Sequence, residues 1–162
     1  METVHVKIAD LAVKKDDGVL VTFGLGSCVG IAIYDQKSSV GGLAHILLND
    51  STKFVRPNVT SANPAKFADT AIPHLVEKME AMGARKQNMI ARLAGGASLF
   101  NFKTPSGSVG DKNIETVRFT LKKEGIRIAS EEVGGSCGRT MRLFVNSGEV
   151  TITTAGKGAM KK

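Results

Sequence analysis

Two side chains near the start of the chain have the chemistry to act together. Cys28 lies in Thr22-Phe-Gly-Leu-Gly-Ser-Cys-Val-Gly30, and His45 in Gly41-Gly-Leu-Ala-His-Ile46. A thiol attacks a carbonyl carbon only as thiolate, so it needs a neighbouring base or cation to draw off its proton. The residues between the two suggest how they meet. Val29, Ile31 and Ile33 alternate with Cys28, Gly30 and Ala32, the period of a half-buried strand; Leu43, His45 and Leu47 alternate with Gly42, Ala44 and Ile46 in a second one. Asp35-Gln-Lys-Ser38 between them reads as a turn. A hairpin centred between Gln36 and Lys37 would set Cys28 directly opposite His45, on one face, with Cβ atoms roughly 4.5–5.5 Å apart. A slip of one residue would break that pairing.

The glycines around Cys28 give a second reason to look there. Gly24-Leu-Gly26 follows a strand but lacks the third glycine of a dinucleotide-binding turn, because position 29 is Val, and a strand pattern rather than a helix follows. The glycines read instead as room: residues free to take positive φ, baring backbone N–H groups beside the sulfur. Gly26 and Ser27 are the candidate donors to an oxyanion formed when the thiolate attacks. Gly30 and Ala32, small and on the face of Cys28, leave space above the thiol.

Other candidates are weaker. Cys137, in Gly134-Gly-Ser-Cys-Gly-Arg139, is the rival thiol, with Arg139 near enough to lower its pKa but no His close in sequence. His5 at the start of a strand and His74 after Pro73 read as structural or surface residues. One Cys and one His in register, with no carboxylate close by in sequence, do not make a zinc site. No metal or organic cofactor is expected.

Composition sets the frame. A chain of 162 residues is read as one domain, spanning 1–162, long enough to bury a sizeable core. No apolar run approaches the ~18 residues that cross a bilayer, and the start carries Glu2 and no long apolar stretch, so membrane insertion and a secretory signal are not expected. A cytoplasmic location is the default, and two Cys are too few for a disulfide framework. The net charge of +7 comes from scattered pairs such as Lys14-Lys15 and Lys122-Lys123, without interleaved aromatics to stack bases. That argues against a nucleic-acid partner; the excess fits a solvated surface or an acidic protein partner.

Around the hairpin, residues 3–9 and 18–23 read as strands. Asn49 to Ala62 reads as a long polar loop, a candidate binding loop. A helix begins near Asn63-Pro64, with Phe67, Ala68, Ala71, Ile72, Leu75, Val76 and Met79 as its apolar stripe; Pro73 predicts a kink or split, and Gly83 ends it. Residues 89–94 form a buried strand closed by Gly95-Gly96, and 103–110 a Gly/Ser/Pro-rich loop. A second helix covers about 111–124, and strands follow at 126–132, 139–146 and 149–154. The basic tail from Ala155 is expected to fray. The fold class is α/β: a single-domain sandwich of mostly antiparallel β-sheet with two main helices.

These blocks together resemble the CheD family of chemoreceptor glutamine deamidases. The match is carried by Thr22 to Gly30, Tyr34-Asp35, Gly41 to Leu48, Lys66-Phe-Ala-Asp-Thr-Ala71, Leu93-Ala-Gly-Gly-Ala97 with Phe100, and Gly134 to Arg139. It departs at Ser108-Val-Gly-Asp-Lys-Asn113, where the family usually has Asn-Ile-Gly-x-Arg-Asn, and at Glu131-Glu132-Val133, where an Asp usually stands. The resemblance implies that Cys28 is the nucleophile, His45 the general base and Thr22 the third member, its hydroxyl or carbonyl accepting the other imidazole N–H. It implies hydrolysis of a receptor glutamine amide through a cysteine thioester. The implied partners are the cytoplasmic helical region of methyl-accepting chemotaxis receptors and, in some members, the CheC phosphatase. A non-catalytic adaptor docking on those same partners is the alternative, and a thiol hydrolase acting on a small amide or ester is a third.

Overall fold

The computed structural model describes residues 1–54, 63–98, 107–156 and 158–161. Among the described residues, ten strands form two five-stranded sheets. One sheet has the order β1 (Thr3–His5), β3 (Val19–Leu25), β8 (Arg139–Phe144), β9 (Glu149–Thr154) and β10 (Gly158–Lys161). The other has the order β2 (Asp10–Lys15), β5 (Val40–Ile46), β4 (Val29–Asp35), β6 (Met89–Gly95) and β7 (Arg127–Val133). All pairings are antiparallel except β1 with β3 and β6 with β7. The long helices α2 (Ala68–Ala81) and α3 (Val109–Lys123) cover the outer face of the second sheet, and a short α1 (Ser51–Phe54) precedes them. The α/β sandwich expected from sequence is therefore present, as two sheets.

The central strand β4 is buried along its whole length, not half-buried. Its two faces serve two cores. Val29, Ile31 and Ile33 pack with Ile72, Leu75, Met79 and Val117 beneath the helices. Cys28, Ala32 and Tyr34 join Leu20, Leu25, Met141 and Ile152 between the sheets. Both candidate groups of the hairpin thus face the inter-sheet layer.

The hairpin register differs from the expected one. Asp35 pairs with Val40 and Gly30 with His45, so Cys28 is not opposite His45. The cause lies in the loop, which holds four residues: the Asp35 carboxylate accepts the N–H groups of Lys37 (2.9 Å) and Ser38 (3.3 Å), and Ser39 takes φ 55°. The centre of the turn therefore moves by one residue, and every residue's partner shifts by two. Side-chain parity survives this shift, and Cys28 and His45 remain on one face as diagonal neighbours. Burial alone would raise the Asp35 pKa, but its hydrogen bonds from Arg85, Ser38 and Lys37 outweigh it and hold the carboxyl below its ordinary value.

Four other expectations are corrected. Residues 3–9 do not form one strand: Ala9, at φ 61°, turns the chain from the first sheet into β2 of the second. Pro73 does not split α2; the interruption lies upstream, where Asn63 caps a single turn at Pro64–Lys66 and extended Phe67 separates it from the helix. The loop after Asn49 begins with α1, Ser51 donating to Asp69 from both backbone and hydroxyl; its remainder, 55–62, and residues 99–106 of the later loop region lie outside the described residues. The tail does not fray throughout, since Gly158–Lys161 pair with β9, and an edge strand needs only backbone groups for that.

Candidate active site

The site is assembled from both sheets. Thr22 on β3 and His45 on β5 are each fully buried, and the Thr22 hydroxyl stands 2.6 Å from His45 Nδ1. The same hydroxyl donates its one proton to the Val6 carbonyl at 2.6 Å. It has no second proton to give, so toward the imidazole it acts as acceptor and Nδ1 carries the hydrogen. That fixes the tautomer. Nε2 keeps its lone pair, and it is a buried atom with no hydrogen-bond partner among the described residues. Gly30 is the residue opposite His45 in the ladder.

Burial holds His45 neutral: it is the larger cause, with the charge of His5 adding to it, and together they lower the imidazole pKa to about 4. Burial likewise raises the Cys28 thiol above its ordinary value, partly countered by the residue's own N–H directed at the sulfur. The resting pair is therefore thiol and neutral imidazole, not thiolate and imidazolium. Cys28 is 6% exposed, at the edge of the inter-sheet core. The space expected above it is partly filled: a Cβ on Gly30 would lie 3.0 Å from Leu25 Cδ1 and 3.1 Å from Met141 Sδ.

The turn into Cys28 is shaped by Gly24, at φ 69°, a conformation that favours glycine. The Gly26 amide, expected to face an oxyanion, instead donates to the Gly24 carbonyl at 3.0 Å. The Ser27 amide makes no backbone hydrogen bond among the described residues, and the Cys28 amide is directed at its own sulfur. The loop is held by Gly96 N–H on the Cys28 carbonyl and Ala97 N–H on the Gly26 carbonyl, both at 2.8 Å.

Cys137 is half-buried on a separate loop after β7, and no histidine bonds to it among the described residues. Its neighbour Arg139 is turned away into a hydrogen bond with the Gly95 carbonyl at 3.1 Å. His5 stacks edge-on against Phe23, and His74 lies on α2; neither is hydrogen-bonded to the Thr22–His45 pair among the described residues. Among the described residues no group of three or more His, Cys, Asp or Glu side chains could hold a metal, and no helix is long and apolar enough to cross a membrane.

The family model described as CheD chemotactic sensory transduction matches residues 47–154. Over 165 residues and 99% of each chain, this sequence is 50% identical to a Clostridium botulinum protein (strain Alaska E43) named "Probable chemoreceptor glutamine deamidase CheD". The chain belongs to the CheD family.

A CheD relative of the same name from strain Hall is 48% identical over 160 residues, covering 98% of this chain and 96% of its own. The family model begins at residue 47, after Thr22, Cys28 and His45, whereas the CheD relatives align across them. A crystal structure of a Neisseria meningitidis protein of family DUF152 shares the fold, with TM-score 0.54 at 13% identity over 84% of this chain and 65% of its own.

One residue of this CheD-family site goes unnoticed in the sequence. Asn113 on α3 is fully buried, and its Nδ2 donates to the carbonyls of Ser27 (2.8 Å) and Leu47 (3.1 Å). An Asn amid Lys112, Ile114 and Glu115 gives no hint of partners 86 and 66 positions away.

Proposed function

We propose that this protein hydrolyses glutamine side-chain amides of chemoreceptors to glutamate, with Cys28 as nucleophile, His45 as base and Thr22 orienting the imidazole. The family membership and the names of its relatives support the reaction and the substrate. The observation that carries the residue assignment is the Thr22–His45 hydrogen bond, which leaves an unpartnered basic nitrogen on the face of the sheet that also bears Cys28.

The reaction begins with transfer of the thiol proton to Nε2 as sulfur attacks the amide carbon. The amide π electrons move to oxygen, and the oxyanion is received by the Ser27 and Cys28 N–H groups. Collapse re-forms the carbonyl and breaks the C–N bond, while imidazolium Nε2–H protonates the nitrogen, so that ammonia leaves and a thioester remains. Water then gives a proton to Nε2 and its oxygen attacks the thioester. The C–S bond breaks, the product is glutamate, and the sulfur takes back a proton.

No cofactor enters any of these steps. The substrate region is the receptor's cytoplasmic helical part, and the +7 net charge suits an acidic partner surface. CheC is a further partner by family resemblance, and the cytoplasm is where such receptor segments lie. The test is ammonia release from a purified receptor cytoplasmic fragment. Wild type releases it and Cys28→Ala does not; release by Cys28→Ala at the wild-type rate overturns the nucleophile assignment.

A further inference from the structure

The β4–β5 ladder ends at the pair Val29 and Ile46, one residue after the nucleophile and one residue beyond the base. The next pair in that register would be Cys28 and Leu47. At this open end the Asn113 carboxamide takes over from the ladder, one N–H going to the Ser27 carbonyl and the other to the Leu47 carbonyl. Both partners can only accept, so Nδ2 must face them and the amide orientation is settled. Ser27 is the residue of its loop that the neighbouring strand does not hold: the carbonyls on either side, Gly26 and Cys28, are taken by Ala97 and Gly96. Asn113 is itself fixed, on a helix whose start is locked by reciprocal bonds between Ser108 and Asp111.

Its Oδ1 is buried and without a partner among the described residues. Leaving a buried carbonyl unsatisfied costs free energy, so a residue chosen for packing alone would be apolar here. Both of its donors are used on residues beside the candidate catalytic groups, Ser27 just before Cys28 and Leu47 just past the end of the strand that carries His45.

We propose that Asn113 is a positioning residue that clamps the Cys28 turn to the end of the His45 strand and thereby sets the distance between thiol and imidazole. This rests on the Cys28–His45 reading. Without the clamp the Cys28 turn loosens, its thiol becomes more open to solvent, and alignment with Nε2 is lost. Misplacement on the scale of 1 Å in a reacting group costs on the order of 100-fold in rate.

The test uses the full chain carrying Asn113→Leu or Asn113→Asp, the receptor cytoplasmic fragment as substrate, and a temperature well below each variant's melting point. The first lacks donors, and the second places a carboxylate against two carbonyls. Expected are a kcat lower by roughly 10- to 100-fold with KM little changed, and faster iodoacetamide alkylation of Cys28 than in wild type. Activity and thiol accessibility then move in opposite directions, which a merely structural residue would not produce. A variant that melts earlier but keeps wild-type kcat and alkylation rate overturns the proposal. If neither variant folds, Asn113→Ser is read by the same two measurements. Cys28→Ala is assayed alongside: if it stays active, the Cys28–His45 reading itself fails, whereas an inactive Cys28→Ala with unaffected Asn113 variants removes the clamp alone.

Discussion

Thr22 Oγ1 and His45 Nδ1 meet at 2.6 Å across the layer between the two sheets, and the Thr22 proton is already committed to the Val6 carbonyl. In the proposed mechanism a hydroxyl placed in this way does for the imidazole what a carboxylate does in known triads, without adding a negative charge to a buried site. Replacing it tests the arrangement. Thr22→Val keeps the shape but leaves Nδ1–H and the Val6 carbonyl unpartnered. Steady-state assays should show kcat lower by about 10- to 100-fold, with a stability loss of about 1–3 kcal/mol in denaturant titration. Thr22→Ser, which keeps the hydroxyl, should stay near wild type. Equal rates for Val and wild type would remove Thr22 from the mechanism.

The low pKa of His45 has a pH signature. The folded imidazole titrates near 4, against 6.5 for the unperturbed group, so between these values the unfolded chain binds more protons than the folded one. Stability therefore rises with pH through this window; the contribution is complete above about 6.5 and is lost as pH falls toward 4, in all roughly 3 kcal/mol. Urea titrations from pH 4 to 7 should show this slope, flattened in His45→Gln. The acid limb of kcat/KM should likewise fall well below pH 6. An acid limb at pH 6.5 would show that the base is not held neutral by burial.

Resting Cys28 should behave as a thiol. Burial raises its pKa, so in a Cys137→Ser background its alkylation should be slow at pH 7 and rise only above the free-thiol range of about 8.5. An inflection well below that would indicate a standing thiolate–imidazolium pair. Cys137, half-buried and on another loop, should be alkylated first in the wild type, and Cys137→Ser should keep full deamidase activity.

Gly95 lies against the turn that carries the proposed nucleophile. It has φ 106°, and a Cβ there would collide with the Cys28 carbonyl oxygen. Gly95→Ala should push the Cys28 turn out of place, lowering both melting temperature and kcat. Gly125→Ala, equally left-handed at φ 75° but with open space around it, should lower stability alone. Wild-type kcat in Gly95→Ala would show that the turn tolerates displacement.

Much of this arrangement could be read from residue order. The alternation through 28–33 and 43–47 placed both strands and the side-chain parity within each; Cys28 and His45 still share a face because the pairing shifted by an even number of residues. Their register could not be read in the same way. It depends on a four-residue loop shaped by the Asp35 side chain and the left-handed Ser39, and both are tertiary and conformational choices. The stops at Gly83 and Gly125 were legible because each takes positive φ at a helix end. The division into two sheets was not, since it turns on Ala9 at φ 61°, a residue with no such preference. Asn113 was hidden for another reason: its partners are distant in sequence and are backbone carbonyls, which no residue pattern announces.

The most direct test weighs the substrate itself. The intact mass of a purified receptor cytoplasmic fragment is recorded before and after incubation with wild type and with Cys28→Ala. Wild type should add about one mass unit for each glutamine converted to glutamate, and Cys28→Ala none. An unchanged mass with folded wild type, or the same increase with Cys28→Ala, would contradict the account.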